Sequence, residues 1–470
     1  MKVHFIAIGG SVMHQLAIAL KRKGYIVTGS DDEIFEPARS NLAAEGLLPP
    51  AEGWYPEKIH NDLDSIILGM HAKADNPELL RAKELGLAIY SFPEYIYQES
   101  KDKTRVVVGG SHGKTTTTSM IMNVLKSAGK DFDYLVGARL EGFSQSVNIT
   151  RAPVIVCEGD EYPASTLEKR PKFHFLFPHI AIITGIAWDH INVFPTFEIY
   201  LEQFKIFIDK IEPGGVLIYN ETDPVLKKLV KEHPSSVRKI PYGIPSHRIE
   251  NGITVVTLEG HSGALKVFGE HNLLNLQAAF LACKELGVGP DAFLKGITAF
   301  GGAAKRLELL GSNDHRHINV YRDFAHAPSK VKATMEAVRK QFPDRKLVAV
   351  LELHTYSSLN EQFLSEYQGA LDLADKAVVF YSRHALELKR LPPLSPEKVA
   401  AGFGKNVRKT DSHGNIARSE DLVVLNEKEE LLQWLMEQSY ENVNLLLMSS
   451  GNYDGLDMIT FADKITQKGL

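Results

Sequence analysis

The chain of 470 residues is 44% hydrophobic and 24% charged, and it carries a formal net charge of −5 at pH 7. These values describe a globular protein and argue against the basic surface that nucleic-acid binding needs. No apolar run is long enough to span a bilayer, and two cysteines, Cys157 and Cys283, predict no disulfide framework. We therefore expect a cytoplasmic protein of about three domains that acts on small molecules, with neither nucleic acid nor membrane as a partner.

The N-terminal segment predicts a strand–helix–strand unit. A strand over residues 2–8 enters the turn Gly9-Gly10-Ser11, a helix over 12–23 follows, and a second strand ends at Ser30-Asp31. Glycines at the first turn and an acid about twenty residues later are typical of a Rossmann-type nucleotide-binding fold. The third glycine of the dinucleotide fingerprint is missing, and Met13-His14 stands near its place. A nucleotide-sugar ligand is therefore at least as well supported as a redox dinucleotide.

The stretch RVVVGGSHGKTTTT, residues 105–118, predicts a buried strand, a glycine-rich turn and the start of a helix. Backbone N–H groups and the helix dipole favour an anion at such a turn. Lys114 is expected to reach the terminal phosphates of a nucleotide, and the Thr115 hydroxyl to bind Mg²⁺. The alternative is an ordinary turn with a solvated lysine, since the pattern is one residue short of G-x-x-x-x-G-K-[ST]. We predict a nucleotide-binding loop made of Gly110, Ser111, His112, Gly113, Lys114, Thr115 and Thr116.

Two buried strands that follow the loop end in acidic residues or histidine. The first, within APVIVCEGDEY, ends at Glu158, with Asp160 and Glu161 just beyond it, and the second, HIAIITGI, leads to Asp189 and His190. Carboxyl ends of parallel strands share one edge of a sheet, where α/β proteins bind ligands. The pattern predicts a magnesium and phosphate site with Glu158 beside Thr115. The alternatives are a solvated acid and a histidine satisfied at a sheet edge.

Polar residues in the C-terminal half complete the candidate site. Asn275 follows His271 by one helical turn at the head of a long helix, where both side chains are able to hydrogen-bond a nucleotide. A third region from residue 302 reads as a second doubly wound sheet. There Arg306 is suited to bind phosphate bidentately, and Asp323 and His326 stand at the end of a strand.

Six phrases in this order resemble the Mur ligase family of peptidoglycan synthesis: GGSHGKTTT, EGDEY, DH at 189–190, GEHNLLN, KRLELLG and DFAHAP. The resemblance is to the branch that acts on UDP-N-acetylmuramate. It implies an α/β fold with a Rossmann-like UDP-sugar domain over 1–103, a central P-loop ATPase domain with a mostly parallel sheet over 104–301, and a Rossmann-like acceptor domain over 302–470. It also implies ligation through an acyl phosphate, with ATP and Mg²⁺, by a monomer or homodimer.

The resemblance also implies roles for individual residues. Lys114, Glu158 and His190 are expected to be catalytic, and Thr115, Glu158 and His190 to hold the metal. ATP is expected to bind the loop together with Asn275, Arg306 and Asp323. The UDP-sugar pocket is expected to contain Gly10, Ser11, Met13, Ser30, Asp31 and Asn76.

The acceptor stays open between two members of the branch. Four phrases favour the tripeptide L-Ala-γ-D-Glu-meso-diaminopimelate: EKRPKF at 168–173, RLELLG at 306–311, DFAHAP at 323–328 and LMSSGNYDGL at 447–456. The phrase LELHTYSSL at 351–359 instead favours L-alanine. Lys205 lies fifteen residues after His190, where several family members carry a carbamylated lysine, but we favour an ordinary helix lysine. The weaker alternatives are a folylpolyglutamate-synthetase-like ligase, which would lack the first hundred residues, a non-catalytic ATP or UDP-sugar sensor, and a nicotinamide dehydrogenase.

Overall fold

A computed structural model describes residues 1–137, 140, 142–143, 145–165, 167–188, 193–303, 305–407 and 421–467. The chain divides into two compact units. The first contains Met1–Ser246, Val256–Gly263 and Asn272–Phe300, and the second contains His247–Val255, Ala264–His271 and Gly301–Leu470. No helix among these described residues is long and apolar enough to cross a membrane.

The N-terminal part of the first unit alternates strands with helices. Its elements are β1 (Lys2–Ile6), α1 (Met13–Arg22), β2 (Ile26–Ser30), α2 (Ala38–Ala44), β3 (Ser65–Leu68), α3 (Pro77–Glu84), β4 (Ile89–Ser91) and α4 (Phe92–Ser100). The strands form a parallel sheet in the order β2-β1-β3-β4. Strand β1 ends two residues earlier than predicted, because Ala7 has a left-handed φ of 66° that interrupts the extended backbone.

The rest of the first unit is built on a larger sheet. Its elements are β5 (Thr104–Gly109), α5 (Lys114–Ser127), β6 (Asp133–Leu135), β7 (Val147–Asn148), β8 (Val154–Glu158), β9 (Ile180–Ile183), α6 (Phe197–Asp209), β10 (Val216–Asn220), α7 (Pro224–Glu232) and β11 (Arg238–Tyr242). The order is β11-β10-β9-β5-β8-β6-β7, and only β7 is antiparallel to its neighbour. Strand β5 is therefore central, with β8 and β9 on either side, and its buried Val106-Val107-Val108 run is typical of a strand covered on both faces.

The segment after residue 233 contributes strands to two sheets. Its first strand, β11, completes the edge of the large sheet, and Pro241 is tolerated there because an edge strand has one unpaired side. Three further strands form a small sheet in the order β12-β13-β14: β12 (Ser246–Glu250), β13 (Ile253–Leu258) and β14 (His261–Leu265). Helices α8 (Glu270–Glu285) and α9 (Pro290–Ile297) follow.

The second unit holds a sheet covered by helices on both faces, as the doubly wound pattern predicts. Its elements are β15 (Glu308–Asn313), β16 (Ile318–Asp323), α10 (Pro328–Gln341), β17 (Lys346–Glu352), β18 (Lys376–Phe380), α11 (Arg383–Leu388), α12 (Pro396–Gly402), β19 (Asn406–Val407), β20 (Asp421–Leu425), α13 (Lys428–Met436), β21 (Val443–Met448) and α14 (Met458–Thr466). The order is β15-β16-β21-β17-β18-β20-β19, with β15 antiparallel and the others parallel. Separate hydrophobic clusters cover the two faces.

Candidate active site

The turn between β5 and α5 is shaped by two glycines in left-handed conformations. Gly110 has φ +125° and Gly113 has φ +83°. A Cβ atom at Gly110 would lie 2.2 Å from Thr184 Oγ1, and one at Gly113 would lie 2.3 Å from Asn275 Oδ1. Both the backbone conformation and the space therefore demand glycine, as an anion-binding loop that opens a helix requires.

Asn275 lies on α8 and packs directly behind the loop. It is buried, and its Oδ1 accepts a hydrogen bond from Thr117 Oγ1 at 3.3 Å. The sequence predicts a contact between Asn275 and the nucleotide, and the nearby loop is consistent with that role. Its amide oxygen already braces α5, which spacing along the chain did not reveal.

The predicted pairing of Thr115 with Glu158 is present. Glu158 ends β8, whose register with β5 sets Val108 beside Glu158. Thr115 Oγ1 donates to Glu158 Oε1 at 2.8 Å, and the backbone N–H of Gly137 donates to Glu158 Oε2 at 2.8 Å. A hydroxyl and a carboxylate held together are hard oxygen donors of the kind that Mg²⁺ takes when it keeps most of its waters.

Lys114 lies in a buried ionic contact at the start of α5. Its ammonium donates to the carbonyl oxygen of Gly110 at 2.7 Å and to Glu161 Oε2 at 2.7 Å. Burial alone would lower the pKa of Lys114, but the carboxylates of Glu161, Asp160 and Glu158 outweigh it, and the pKa lies above its ordinary value. The lysine is therefore a fixed positive charge at any pH at which the protein works.

Asp160, between the two other acids, has its own cation. Lys172 Nζ lies 2.6 Å from Asp160 Oδ2. Burial would raise the pKa of Asp160, but the positive charges of Lys172 and Lys114 prevail and hold that pKa below its ordinary value. Asp160 is thus an ionised carboxylate paired with Lys172, and we do not count it as a further metal ligand.

Three predicted features beyond β9 have different outcomes. Asp189 and His190 lie outside the described residues, so the histidine's metal role stays a prediction. The sequence predicts a packing role for Trp188, but the residue is 45% exposed and its indole N–H donates to the Phe194 carbonyl at 3.0 Å. Lys205 pairs with Glu202 on its own helix at 3.0 Å, with both side chains about half exposed, as expected for a surface lysine.

A cavity of about 850 Å³ lies at the turn between β1 and α1 in the first unit. Of the residues predicted for a UDP-sugar pocket, Gly10, Ser11 and Asp31 line it. Met13 is buried under the turn, where a Cβ on Gly10 would lie 3.2 Å from Met13 Cγ. Half of the predicted pocket residues are thus at the cavity wall.

The other two predicted pocket residues are engaged in the fold. Ser30 is fully buried, and its hydroxyl accepts from Lys58 Nζ at 3.2 Å. Asn76 caps α3, since its Oδ1 accepts from the backbone N–H groups of Glu78 and Leu79 at 3.0 and 3.1 Å. Neither belongs to the residues that line the cavity.

Asp31 closes the first turn from the end of β2. Its Oδ2 accepts from the backbone N–H of Gly9 at 2.7 Å, and its Oδ1 accepts from that of Asp32 at 3.0 Å. Burial raises the pKa of Asp31 to about 6, because those two bonds offset only part of the desolvation of the charged form.

A histidine-centred cluster in the cavity wall was missed by the sequence analysis. His14 Nδ1 lies 2.9 Å from the Gly10 carbonyl, so that nitrogen carries the proton and Nε2 is an acceptor. The amide nitrogens of Gln15 and Asn41 face Nε2 at 2.8 and 3.3 Å. Burial lowers the pKa of His14, which keeps it neutral and fixes both amides. The only sequence signal was its place near the missing third glycine.

In the second unit, the predicted ATP residues cluster at the end of β16. The Arg306 guanidinium lies 4.8 Å from the centre of the Phe324 ring. Asp323 is buried, and its Oδ2 accepts from Thr334 Oγ1 at 2.6 Å. His326 Nδ1 lies 2.9 Å from the Phe324 carbonyl. Strand-end placement was predicted correctly, and the aromatic support of Arg306 was not foreseen.

Three family models match the chain: the Mur ligase family, catalytic domain at residues 2–104, the Mur ligase middle domain at 108–283, and the Mur ligase, glutamate ligase domain at 305–451. A UDP-N-acetylmuramate–L-alanine ligase from Carboxydothermus hydrogenoformans is 33% identical over 417 residues, which is 86% of each chain.

Two solved structures resemble nearly the whole chain. The UDP-N-acetylmuramate–alanine ligase from Thermotoga maritima is 22% identical with a TM-score of 0.66, covering 99% of this chain and 98% of its own. The murein peptide ligase from Psychrobacter arcticus 273-4 is 21% identical with a TM-score of 0.60, covering 100% and 99%. At these identities the two likenesses show a shared three-domain α/β fold.

Proposed function

The chain belongs to the Mur ligase family of ATP-dependent, amide-forming ligases, and on that premise we propose that it joins UDP-N-acetylmuramate to the amino group of L-Ala-γ-D-Glu-meso-diaminopimelate. The observation that carries the proposal is the loop before α5, where Lys114, Thr115 and Glu158 meet at the edge of a parallel sheet. The loop also suits a phosphate tail, because Gly110 and Gly113 adopt left-handed backbone conformations at the start of α5 and Lys114 places a cation there.

We assign the three domains to residues 1–103, 104–301 and 302–470, which hold the UDP-sugar, the ATP and the acceptor respectively. The three matching family models, which divide the chain at nearly the same positions, support this assignment. The cavity beside Gly10, Ser11 and Asp31 supports the first site. Met13, Ser30 and Asn76 then have structural parts in this domain, since Met13 is buried under the turn, Ser30 accepts from Lys58 and Asn76 caps α3. All substrates are small molecules, and we place the reaction in the cytoplasm.

In the first chemical step, a carboxylate oxygen of the muramyl group attacks the γ-phosphorus of ATP, and ADP leaves. Two anions repel each other, so positive charge must lie between them. Lys114 and the N-terminus of α5 provide it, together with Arg306 in our assignment. Thr115 and Glu158, with His190 by family resemblance, would hold Mg²⁺, which supplies further positive charge at the phosphates.

In the second step, the neutral amine of the acceptor attacks the acyl carbon, inorganic phosphate leaves and an amide forms. Asn275 keeps the loop in shape from behind, and Asp323 contributes to ATP binding in our assignment. An acyl phosphate hydrolyses if water reaches it, so the substrates must be enclosed while it exists.

L-alanine is the second candidate acceptor, because the 33% identical relative is named an L-alanine ligase. The phrases at 168–173, 306–311, 323–328 and 447–456 are the reason that we prefer the tripeptide. An ADP-release assay with UDP-N-acetylmuramate, offering each acceptor in a separate well, decides between them. Release with the tripeptide alone supports the proposal, release with L-alanine alone selects the alternative, and no release in either well refutes the ligase.

A further inference from the structure

The cation of the nucleotide loop is already paired with a buried acid that the proposed mechanism does not use. Glu161 Oε2 accepts from Lys114 Nζ at 2.7 Å, and the Glu161 side chain is only 1% exposed. The Lys114 side chain is 15% exposed. The contact is therefore a buried ion pair at the mouth of the candidate phosphate site, unlike the many exposed pairs elsewhere on the chain.

Hydrogen bonds through Tyr200 and Ser111 also connect Glu161 to the nucleotide-binding loop. The backbone N–H of Ala187 donates to Ser111 Oγ at 2.8 Å, and Ser111 Oγ lies 2.8 Å from the hydroxyl of Tyr200. Tyr200, fully buried on α6, donates to Glu161 Oε1 at 3.4 Å. Either hydroxyl is able to donate in the contact between Ser111 and Tyr200. Glu161 therefore holds the loop at two positions.

The chemistry of the pair decides what happens when a phosphate arrives. An ammonium group has three N–H donors, of which Gly110 and Glu161 occupy two, so one remains for a phosphate oxygen. If Lys114 instead left the pair, a carboxylate that is only 1% exposed would lose the cation beside it, which is strongly unfavourable. Sharing the lysine is favoured over exchanging it.

We propose that Glu161 is a positioning residue that keeps hold of Lys114 while the lysine binds the nucleotide phosphates, and that Tyr200 fixes Glu161 in place. The proposal rests on the ATP site of the proposed function. Glu161 is not assigned to a reacting atom, so in the proposal it acts on the phosphates through the loop residues that it holds, chiefly Lys114. It therefore predicts that the two residues do not act independently.

The test is a double-mutant cycle on the full chain, read by calorimetric binding of a non-hydrolysable ATP analogue. We expect Glu161→Gln to weaken binding about tenfold, because the amide keeps the shape but loses the charge-assisted bond. Lys114→Met should weaken it further. The double variant should bind little worse than Lys114→Met alone, since most of the proposed effect of Glu161 passes through Lys114.

Thermal unfolding gives a second readout that needs no ligand. Lys114→Met removes the cation beside the buried carboxylate and should lower the unfolding temperature, and adding Glu161→Gln should recover part of that loss.

Tyr200→Phe should weaken analogue binding about twofold to threefold, because one hydrogen bond to the carboxylate is lost. Glu361→Gln, at the exposed 2.6 Å pair with Lys398, is the matched control and should leave binding unchanged.

Native affinity in Glu161→Gln, or losses that multiply in the double variant, would overturn the positioning role while leaving the ligase proposal intact. If the unmodified protein binds no ATP analogue, the proposed function fails and this inference fails with it. Recovery of the unfolding temperature without any effect on analogue affinity assigns the pair to stability alone and also refutes the proposal.

Discussion

Two turns in the first unit share one architecture, a strand, a glycine turn and a helix, yet they present opposite charges. At the turn between β1 and α1, the residue that reaches the backbone N–H of Gly9 is the carboxylate of Asp31. At the turn between β5 and α5, the first helical residue is Lys114. Helix α1 begins at Met13 with neither a charged residue nor a side-chain cap in its first turn.

In our proposal, this difference in charge separates the turn that binds the UDP-sugar from the turn that binds the reacting phosphates. The first turn sets the Asp31 carboxylate beside neutral polar groups, His14 with the amides of Gln15 and Asn41, which suits a ligand bound for its shape and hydroxyl groups. The second turn offers a fixed cation and a hydroxyl paired with a carboxylate, which suits a phosphate that reacts. In our proposal, the same backbone geometry therefore binds one substrate at the first turn and supports the phosphoryl transfer at the second.

The largest effect should come from removing the acid of the second turn. We expect Glu158→Ala to lower ligation at least about a thousandfold, because Thr115 loses its partner and the metal loses a ligand. UDP-sugar binding at the first turn should stay within about twofold of native by calorimetry. Glu232→Ala, at the exposed end of α7, is the control and should leave turnover unchanged. Near-native turnover of Glu158→Ala would remove the distinction between the turns.

Replacing a glycine of the second turn by alanine distinguishes the effect of a steric clash from the effect of backbone strain. Gly113→Ala should weaken ATP-analogue binding about tenfold or more, since its Cβ would collide with Asn275 Oδ1 at 2.3 Å. Gly129→Ala is the matched control, because φ is +65° there but a Cβ meets nothing within 4 Å. The control should cost about 1 kcal/mol of stability and leave affinity unchanged. Equal losses of affinity in both variants would show that strain, not the cradle, is responsible.

Asp31, the buried acid of the first turn, should make the free energy of unfolding depend on pH. Because burial raises the pKa of Asp31 to about 6, its favourable contribution is fully present below its ordinary pKa of 3.8 and is lost as the pH rises through about 6. The free energy of unfolding of native protein minus that of Asp31→Asn should therefore fall between pH 4 and pH 7, by up to about 3 kcal/mol. Chemical denaturation at several pH values measures this.

The opposite slope is the control for that experiment. Asp457 caps α14 in the second unit, and its bonds to Thr460 hold its pKa below the ordinary value. The difference between native protein and Asp457→Asn should therefore shrink as the pH falls through that lowered pKa. If the Asp31 difference also grows with rising pH, the account of the first turn is wrong.

The smallest expected effect comes from Asn76, and it tests whether this residue caps a helix or contacts the UDP-sugar. Asn76→Ala should cost about 1 kcal/mol of stability, because the N–H groups of Glu78 and Leu79 lose their acceptor. Asn76→Asp keeps that acceptor and should keep the stability. Both variants should have native KM for the UDP-sugar in a steady-state assay. A raised KM in the stable Asn76→Asp variant would return Asn76 to the binding site.

The sequence predicted the second turn better than the first. Glycine positions, the helix start at Lys114 and the meeting of Thr115 with Glu158 all follow from local rules, since carboxyl ends of neighbouring parallel strands must share an edge. The pairing of Lys114 with Glu161 does not follow from local rules. The two residues are 47 positions apart in the chain, and they meet only because of how the segment after β8 folds.

At the first turn, residues near the glycines were predicted for one pocket although they have different tasks. Ser30 is buried against Lys58 and Asn76 is a helix cap, whereas His14 and Gln15, which were not predicted, line the cavity together with Gly10, Ser11 and Asp31. Spacing along the chain identifies which residues lie near a turn. It does not tell which side chains point outward, because that depends on burial and on hydrogen bonds between elements.

The central claim is that a muramyl carboxylate takes the γ-phosphoryl group of ATP at the second turn. The most direct measurement uses UDP-N-acetylmuramate with ¹⁸O in its lactyl carboxylate, together with ATP and the acceptor that supports turnover. We predict that the phosphate released carries one ¹⁸O per turnover, because the carboxylate oxygen that attacked phosphorus leaves with it. Product formation with unlabelled phosphate would contradict the account.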